Sequence, residues 1–168
     1  MNSKPDVKTS FVYEGKKILC DWYDLVGKNL PDIEWGQVYI IGDLNGQVPV
    51  VVSGSKGGHA NLPGGHTEPG ETVEQTLHRE VLEELNMKVI EWHLLGYQHL
   101  TDPDDRQANQ LRVYAKLEKI GEFIEDPGGS ITGHFLVDLD KVDDHIEYGV
   151  IGERLMKLAK PFFDKGAK

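Results

Sequence analysis

The sequence predicts an α/β protein in which a mixed β-sheet is covered by helices on both faces. Three observations predict this architecture: several runs of β-branched and apolar residues, one amphipathic helix in the middle of the chain, and a second helix with an apolar side near its end. Strands in runs that one helix interrupts and another closes are typical of such layered folds.

Four short runs before the central helix are predicted to form two hairpins. They are Phe11–Tyr13, Lys17–Cys20, Val38–Ile41 and Val48–Val52. Asn45-Gly46 lies between the third and fourth runs, and this dipeptide is a strong signal for a tight hairpin turn. Pro49 cannot donate a backbone hydrogen bond, so we expect the fourth run to begin at a sheet edge or to lie on one.

The central helix is predicted to extend from Thr72 to Leu85. Thr72 and Gln75 have the spacing of a capping box, in which each side chain bonds a free backbone N–H at the helix start. Asn86 is predicted to end the helix because asparagine tolerates the left-handed conformation. The apolar residues recur at helical spacing and predict one buried side; they are Leu77, Val81, Leu82 and Leu85.

The remaining elements follow the central helix. Three further extended runs are predicted at Lys88–Gln98, Leu111–Leu117 and His134–Val137. A closing helix is predicted at about Ile151 to Phe163, because its apolar residues fall on one side.

Length and charge restrict the class of protein. A chain of 168 residues is long enough for one domain with a substantial core. Its net charge of −10 argues against nonspecific binding to nucleic acid or to an anionic membrane. No apolar stretch has transmembrane length, the first residues are not a signal peptide, and Cys20 is the only cysteine. A cytoplasmic location is therefore expected.

Three glutamates, Glu80, Glu83 and Glu84, crowd one part of the central helix with few cations nearby. Residues three and four apart are neighbours on a helix surface, so these carboxylates lie close together. Two interpretations stay open at this point. The group is either a solvated acidic face or a set of oxygen ligands for Mg²⁺ or Mn²⁺.

The residues around these acids resemble the signature of the Nudix hydrolase family. From Gly65 to Met87 the segment follows the pattern G-x5-E-x7-R-E-U-x-E-E-x-G-U, where U is bulky and aliphatic. Eight of the nine specified positions match, and Asn86 stands where the family usually has glycine. The resemblance implies an α/β/α sandwich with a mixed β-sheet.

The resemblance also implies roles for individual residues. Glu80, Glu83 and Glu84 would hold one to three Mg²⁺ or Mn²⁺ ions, with the Gly65 carbonyl as a further ligand. Glu71 and Arg79 would pair with each other and support the site.

The attacking water needs a general base, and three glutamates are candidates. Glu83 or Glu84 would serve from within the motif, and Glu125 would serve from a later loop, as in some members of the family. Lys56, in a glycine-rich loop before the motif, is a candidate contact for a substrate phosphate.

The resemblance divides the chain into two parts. Residues 35–168 would form the Nudix hydrolase domain, and residues 1–34 an extension with a β-hairpin. We hypothesise that this hairpin lies at a homodimer interface.

Three functions are compatible with this sequence. The first is metal-dependent hydrolysis of the phosphoanhydride bond in a nucleoside diphosphate linked to another group, such as ADP-ribose or a nucleotide sugar, or in a nucleoside triphosphate. The second is a noncatalytic module that binds a nucleotide metabolite, which predicts loss of a metal carboxylate. The third is isoprenoid diphosphate isomerisation, which needs a catalytic cysteine within the site. All the acids are present and Cys20 lies before the motif, so hydrolysis is favoured.

Overall fold

A computed structural model describes residues 4–54 and 58–166 of the chain. Within these residues the elements follow in this order: β1 (Val7–Tyr13), β2 (Lys16–Asp24), β3 (Gln37–Asp43), β4 (Gln47–Ser53), β5 (His59–Asn61), β6 (Gly64–His66), α1 (Val73–Leu85), β7 (Met87–Thr101), β8 (Gln107–Lys119), β9 (Ile131–Asp138), a 3₁₀ helix (Leu139–Asp144) and α2 (Gly149–Gly166). None of the helices within these described residues is long and apolar enough to cross a membrane.

The strands form two sheets. Six strands lie in the order β1-β2-β7-β8-β3-β6, and three more lie in the order β5-β4-β9. Strands β3 and β8 run parallel, whereas the other pairs in the larger sheet are antiparallel. The predicted α/β class with a mixed sheet is therefore confirmed. The second sheet was not predicted.

The two helices pack on opposite faces of the larger sheet because side chains alternate along each strand. Val38 and Ile40 of β3 are fully buried in the cluster that contains the apolar face of α1. Ile41, the next residue, belongs to the other cluster, together with Leu155 and Ala159 of α2. Strand β3 thus lies between both cores, and its side chains reach both of them.

The turn after β3 forms as predicted, but the strands on either side of it do not pair along their length. Asn45 and Gly46 have φ of 54° and 89°, as a tight hairpin turn requires. Beyond the bridge between Leu44 and Gln47, β3 pairs with β8 and β6, and β4 pairs with β9 and β5. The turn therefore carries the chain from one sheet to the other.

Strand β4 is the central strand of its sheet, but it begins at an edge, which is one of the two alternatives predicted from Pro49. Strand β5 pairs only with Val51–Ser53, whereas β9 pairs with β4 from Gln47 onward. At Pro49 the strand has a hydrogen-bonded neighbour on one side, which is where a residue without N–H is tolerated.

The N-terminal strands β1 and β2 are part of the larger sheet. They form an antiparallel hairpin, and β2 pairs with β7 from Leu19 to Asp24. Trp22 of β2 is fully buried in the cluster that contains α2. The boundary at residue 35 and the dimer hypothesis stay predictions.

Candidate active site

Helix α1 begins and ends where its sequence predicts. Thr72 Oγ1 accepts a hydrogen bond from the Gln75 N–H (3.2 Å), and Gln75 Oε1 accepts one from the Thr72 N–H (2.8 Å), so the capping box is confirmed. Asn86 ends the helix in the left-handed conformation with φ of 51°. Of the predicted apolar face, Leu82 is 51% exposed, because it lies about 100° around the helix from Val81.

Arg79 ties this helix to the loop that precedes it. Its Nε donates to Glu71 Oε1 (2.8 Å) and its Nη2 to Glu71 Oε2 (3.0 Å), which is a two-point contact. Nη2 also donates to the His66 carbonyl at 2.9 Å. The bonds from Arg79 to Glu71, together with one from the Glu68 N–H (3.0 Å), lower the pKa of Glu71 to about 2, so this carboxylate is charged at neutral pH.

The same guanidinium contacts two more acids on α1. Arg79 Nη1 lies 2.9 Å from Glu80 Oε1 and 3.3 Å from Glu83 Oε2. One cation therefore faces three carboxyl groups, counting Glu71.

A cavity of about 540 Å³ lies between the acidic face of α1 and the end of the larger sheet. Its lining residues come from β3, β6, the loop after it, α1 and the loop before β9; they are Gln37, Tyr39, Gly64, Gly65, His66, Glu68, Arg79, Glu80, Glu83, Glu84, Asp126, Pro127, Gly128 and Ser130. Five acids therefore line the cavity: Glu68, Glu80, Glu83, Glu84 and Asp126.

Two of these acids are strongly desolvated. Glu80 is 7% exposed and Glu84 is 6% exposed. Burial is the main reason that the pKa of Glu84 is raised to about 8, and the charges of Glu80, Asp126 and Glu83 raise it further. A hydrogen bond from the Gly64 N–H (2.8 Å) acts in the opposite direction. Burial also raises the pKa of Glu80, against the effect of Arg79.

The donor atoms in this cavity are of the chemical kind that a hard divalent cation prefers. A Cβ atom at Gly65 would lie 2.5 Å from Glu80 Oε1, so glycine leaves the space beside this carboxylate free. Buried carboxylates that repel one another are stabilised by a divalent ion, which prefers oxygen ligands. In their present arrangement, no three acidic, histidine or cysteine side chains among the described residues converge closely enough to ligate one ion.

Comparison with known proteins decides the family. The sequence model of the NUDIX domain family matches residues 37–156, which is more than half of the chain. The chain belongs to the Nudix family. Nudix hydrolases generally need divalent metal ions, in agreement with the donor atoms of this cavity. No curated protein sequence matches the chain.

Solved Nudix structures share the fold. The Bacillus subtilis pyrophosphohydrolase BsRppH is 18% identical with a TM-score of 0.63, and the match covers 92% of this chain and 97% of that chain. A Nudix hydrolase from Nitrosomonas europaea is 18% identical with a TM-score of 0.61, covering 77% and 90%. The MutT Nudix hydrolase from Burkholderia pseudomallei is 17% identical with a TM-score of 0.57, covering 75% and 98%.

The structure brings most of the predicted site residues of the Nudix motif together. Glu80, Glu83 and Glu84 line the cavity with Gly65 and Arg79, and Glu71 is joined to them through Arg79. Glu125 is exposed and does not line the cavity. Lys56 lies outside the described residues.

Asp126, the neighbour of Glu125, is the acid that the later loop contributes to the cavity. It is 5% exposed, and its carboxylate accepts N–H bonds of 3.0 Å from Gly128, Ser130 and Ile131. Burial by itself would raise the pKa of Asp126, but these backbone donors lower it below the ordinary value. The Asp-Pro-Gly-Gly sequence is a signal that points to it, since aspartate often accepts such bonds at a turn.

Proposed function

We propose that this protein is a divalent-metal-dependent pyrophosphohydrolase. It would cleave a phosphoanhydride bond in a nucleoside diphosphate linked to another group, such as ADP-ribose or a nucleotide sugar, by attack of water on phosphorus. The observation that supports this most is the burial of Glu80 and Glu84 beside Gly65. Their pKa values are raised, and a bound cation would lower them by stabilising the carboxylates.

Glu80, Glu83, Glu84 and the Gly65 carbonyl would hold Mg²⁺ or Mn²⁺, with one to three ions as the family resemblance implies. When bound, such an ion neutralises phosphoryl oxygens and acidifies a water molecule. The substrate and this side of the cavity are both anionic, so they repel each other without a cation.

The side chains around the cavity would divide the remaining tasks. Glu83 is the most accessible of the three α1 acids that line the cavity, with 30% of its side chain exposed and one 3.3 Å contact to Arg79. It is therefore our first candidate for the base that accepts a proton from the attacking water. Glu84 is the second, and Glu125 is disfavoured because it is exposed outside the cavity.

Glu71 and Arg79 would support the site without touching the substrate. Their two-point contact holds the loop from His66 to Glu71 against α1. The contact of Lys56 with a phosphate, the cytoplasmic location and the homodimer stay proposals from the sequence.

The test is hydrolysis of a panel that contains ADP-ribose, nucleotide sugars, dinucleoside polyphosphates and nucleoside triphosphates, each with Mg²⁺ and then with Mn²⁺. We expect ADP-ribose or a nucleotide sugar to yield two monophosphates, and EDTA to abolish the reaction. Release of pyrophosphate from a triphosphate would favour the triphosphate function instead. Binding without turnover of any compound would favour the noncatalytic module.

Glu83→Gln and Glu84→Gln test the assignment of the site. Each is expected to lower kcat by about a hundredfold or more, because loss of a metal ligand or of the base removes several kcal/mol of transition-state stabilisation. Glu91→Gln, an exposed acid on β7, is the matched control and should keep full activity. Turnover within about threefold of the wild type in both site variants would contradict the assignment.

A further inference from the structure

A row of side-chain amides crosses the larger sheet and ends at the acidic cavity. Gln98 Nε2 donates to Gln110 Oε1 at 2.6 Å, and Gln110 Nε2 donates to Gln37 Oε1. Gln37 Nε2 then donates to the Tyr39 hydroxyl at 3.2 Å. The row connects strands β7, β8 and β3, and its last two members, Gln37 and Tyr39, line the cavity.

Two neighbouring groups fix which end of each amide donates and which end accepts. One of them can only donate, and the other keeps its proton. An amide can be turned end for end, but a guanidinium has no acceptor. Arg112 Nη2 donates to Gln110 Oε1 (3.3 Å), so the nitrogen of Gln110 must face Gln37. At the far end, the Cys20 thiol donates to Gln98 Oε1 (3.7 Å), and burial raises the pKa of Cys20 to about 11.

Arg112 is an unusual residue to find at this place. It is 3% exposed, its Nε has no hydrogen-bond partner among the described residues, and its guanidinium carbon lies 4.5 Å from the centre of the Tyr39 ring. A buried cation without a carboxylate destabilises a fold. Here the charge orients Gln110 and lies over the aromatic ring that reaches the cavity.

The direction of the row determines what the Tyr39 hydroxyl can do. Its oxygen already accepts a bond from Gln37, and the described residues supply no acceptor for its proton. Burial raises the pKa of Tyr39, so the hydroxyl keeps this proton at neutral pH. Arg79, which also lines the cavity, uses its donors on Glu71, Glu80, Glu83 and the His66 carbonyl.

We propose that the Tyr39 hydroxyl donates a hydrogen bond to a non-bridging oxygen of the diphosphate, and that Gln110 and Arg112 are positioning residues that direct its proton into the cavity. The inference rests on the proposed function. A preoriented neutral donor stabilises charge on a phosphoryl oxygen without introducing another ion into a crowded electrostatic site.

Tyr39→Phe removes the hydroxyl and keeps the ring under Arg112. With ADP-ribose and saturating Mg²⁺, or with the substrate that the panel identifies, kcat/KM is expected to fall about tenfold to a hundredfold, as for loss of a hydrogen bond to a charged group. Tyr13→Phe, an exposed tyrosine on β1, is the matched control and should behave as the wild type.

Gln110→Glu tests the direction of the row with almost no change in size. A carboxylate cannot donate to Gln37, so the Gln37 amide turns its nitrogen to residue 110 and its oxygen to Tyr39. The Tyr39 hydroxyl then donates its proton to Gln37 and no longer directs it into the cavity. The variant is expected to lose as much kcat/KM as Tyr39→Phe while staying folded, because the new carboxylate lies beside Arg112. The double variant should lose no more than either single one.

The outcomes separate this inference from the proposed function. If the wild type hydrolyses its substrate and the kcat/KM of Tyr39→Phe lies within twofold of the wild-type value, the role of Tyr39 is overturned and the proposed function stays intact. Additive losses in the double variant would overturn the positioning role of Gln110. If the wild type hydrolyses no compound, calorimetric binding of ADP with Mg²⁺ decides: tenfold weaker binding to Tyr39→Phe supports the hydrogen bond, and equal binding overturns it.

Discussion

At the scale of single residues, burial governs the chemistry of the cavity more than the number of acids does. Glu71 and Glu84 are both acids of the Nudix motif, yet the pKa of the first is about 2 and that of the second is about 8. Arg79 and the Glu68 N–H stabilise the charge on Glu71, whereas burial and neighbouring acids destabilise it on Glu84. At neutral pH the site therefore contains one acid that is charged, Glu71, and one whose charged form needs a bound cation to stabilise it, Glu84.

This difference predicts how stability depends on pH. Because the pKa of Glu84 rises from its ordinary 4.5 to about 8 on folding, the metal-free native state binds more protons than the unfolded state in this window. The free energy of unfolding should therefore fall as the pH rises from about 4.5 to 8, and Glu84→Gln should remove on the order of 2–4 kcal/mol of this fall.

Urea unfolding in EDTA at pH 5 and pH 8 measures the effect, with Glu91→Gln as the control. A Glu84→Gln variant whose stability changes with pH in parallel with the wild type would contradict it. Added Mg²⁺ should stabilise the wild type more at pH 8 than at pH 5, since binding displaces the proton.

Two residues of the cavity, Asp126 and Tyr39, were not predicted from the sequence. Glu125 and Asp126 are adjacent acids, and their charge alone does not tell which one enters the cavity; only the turn sequence after Asp126 points to it. The choice depends on the backbone N–H groups of Gly128, Ser130 and Ile131, which turn around Asp126 and leave Glu125 exposed. Tyr39 gives no signal of its own, because a tyrosine in a β-branched run predicts only a strand.

At the scale of elements, helix α1 could be predicted almost completely because its signals are local. The capping box, the apolar spacing and the final asparagine all act within one stretch of chain. Strands β3 and β4 show the opposite case. Their turn is local and is correct, but their partners β8 and β9 come from distant parts of the sequence. Sheet pairing of this kind cannot be found from a single turn.

The end of α1 carries a contact that glycine could not make. Asn86 Nδ2 donates to the Glu122 carbonyl (2.7 Å), in addition to the bond that its backbone carbonyl accepts from the Ile120 N–H (3.1 Å) and that any residue could form. The position at which the family usually has glycine therefore ties α1 to the segment after β8. That segment leads to Asp126 in the cavity wall.

Asn86→Ala and Asn86→Gly separate the two contributions of this residue. Alanine loses the bond to Glu122 and tolerates the left-handed conformation poorly, so we expect a loss of about 1–2 kcal/mol in the free energy of unfolding. Glycine loses the same bond but relieves the backbone, so its effect should be near zero. Urea unfolding of the two variants measures the difference, and equal losses would contradict this account.

At the scale of the whole molecule, the two cores on either side of the larger sheet join its N-terminal and C-terminal parts. Trp22 of β2, Ile41 of β3 and Leu155 of α2 belong to one buried cluster. Asp24 at the end of β2 also accepts a hydrogen bond from Arg154 Nε of α2 at 3.1 Å. The N-terminal hairpin is thus packed as part of the same body as the closing helix.

Trp22→Ala tests this integration. Removing a fully buried indole should cost about 3–5 kcal/mol in the free energy of unfolding, because a cavity remains between β2 and α2. Phe11→Ala, on the same hairpin but 41% exposed, is the control and should cost much less. Equal unfolding midpoints for Trp22→Ala and the wild type in urea would show that the hairpin contributes nothing to the core.

The pairing of β2 with β7 has a consequence for how separate molecules behave in solution. Strand β2 occupies the side of β7 between Gly96 and Thr101, where backbone N–H and C=O groups would otherwise be unpaired. An unpaired length of this kind is a template on which sheets of different molecules join. A chain shortened by its first hairpin would therefore be prone to aggregation, and light scattering during refolding would detect it.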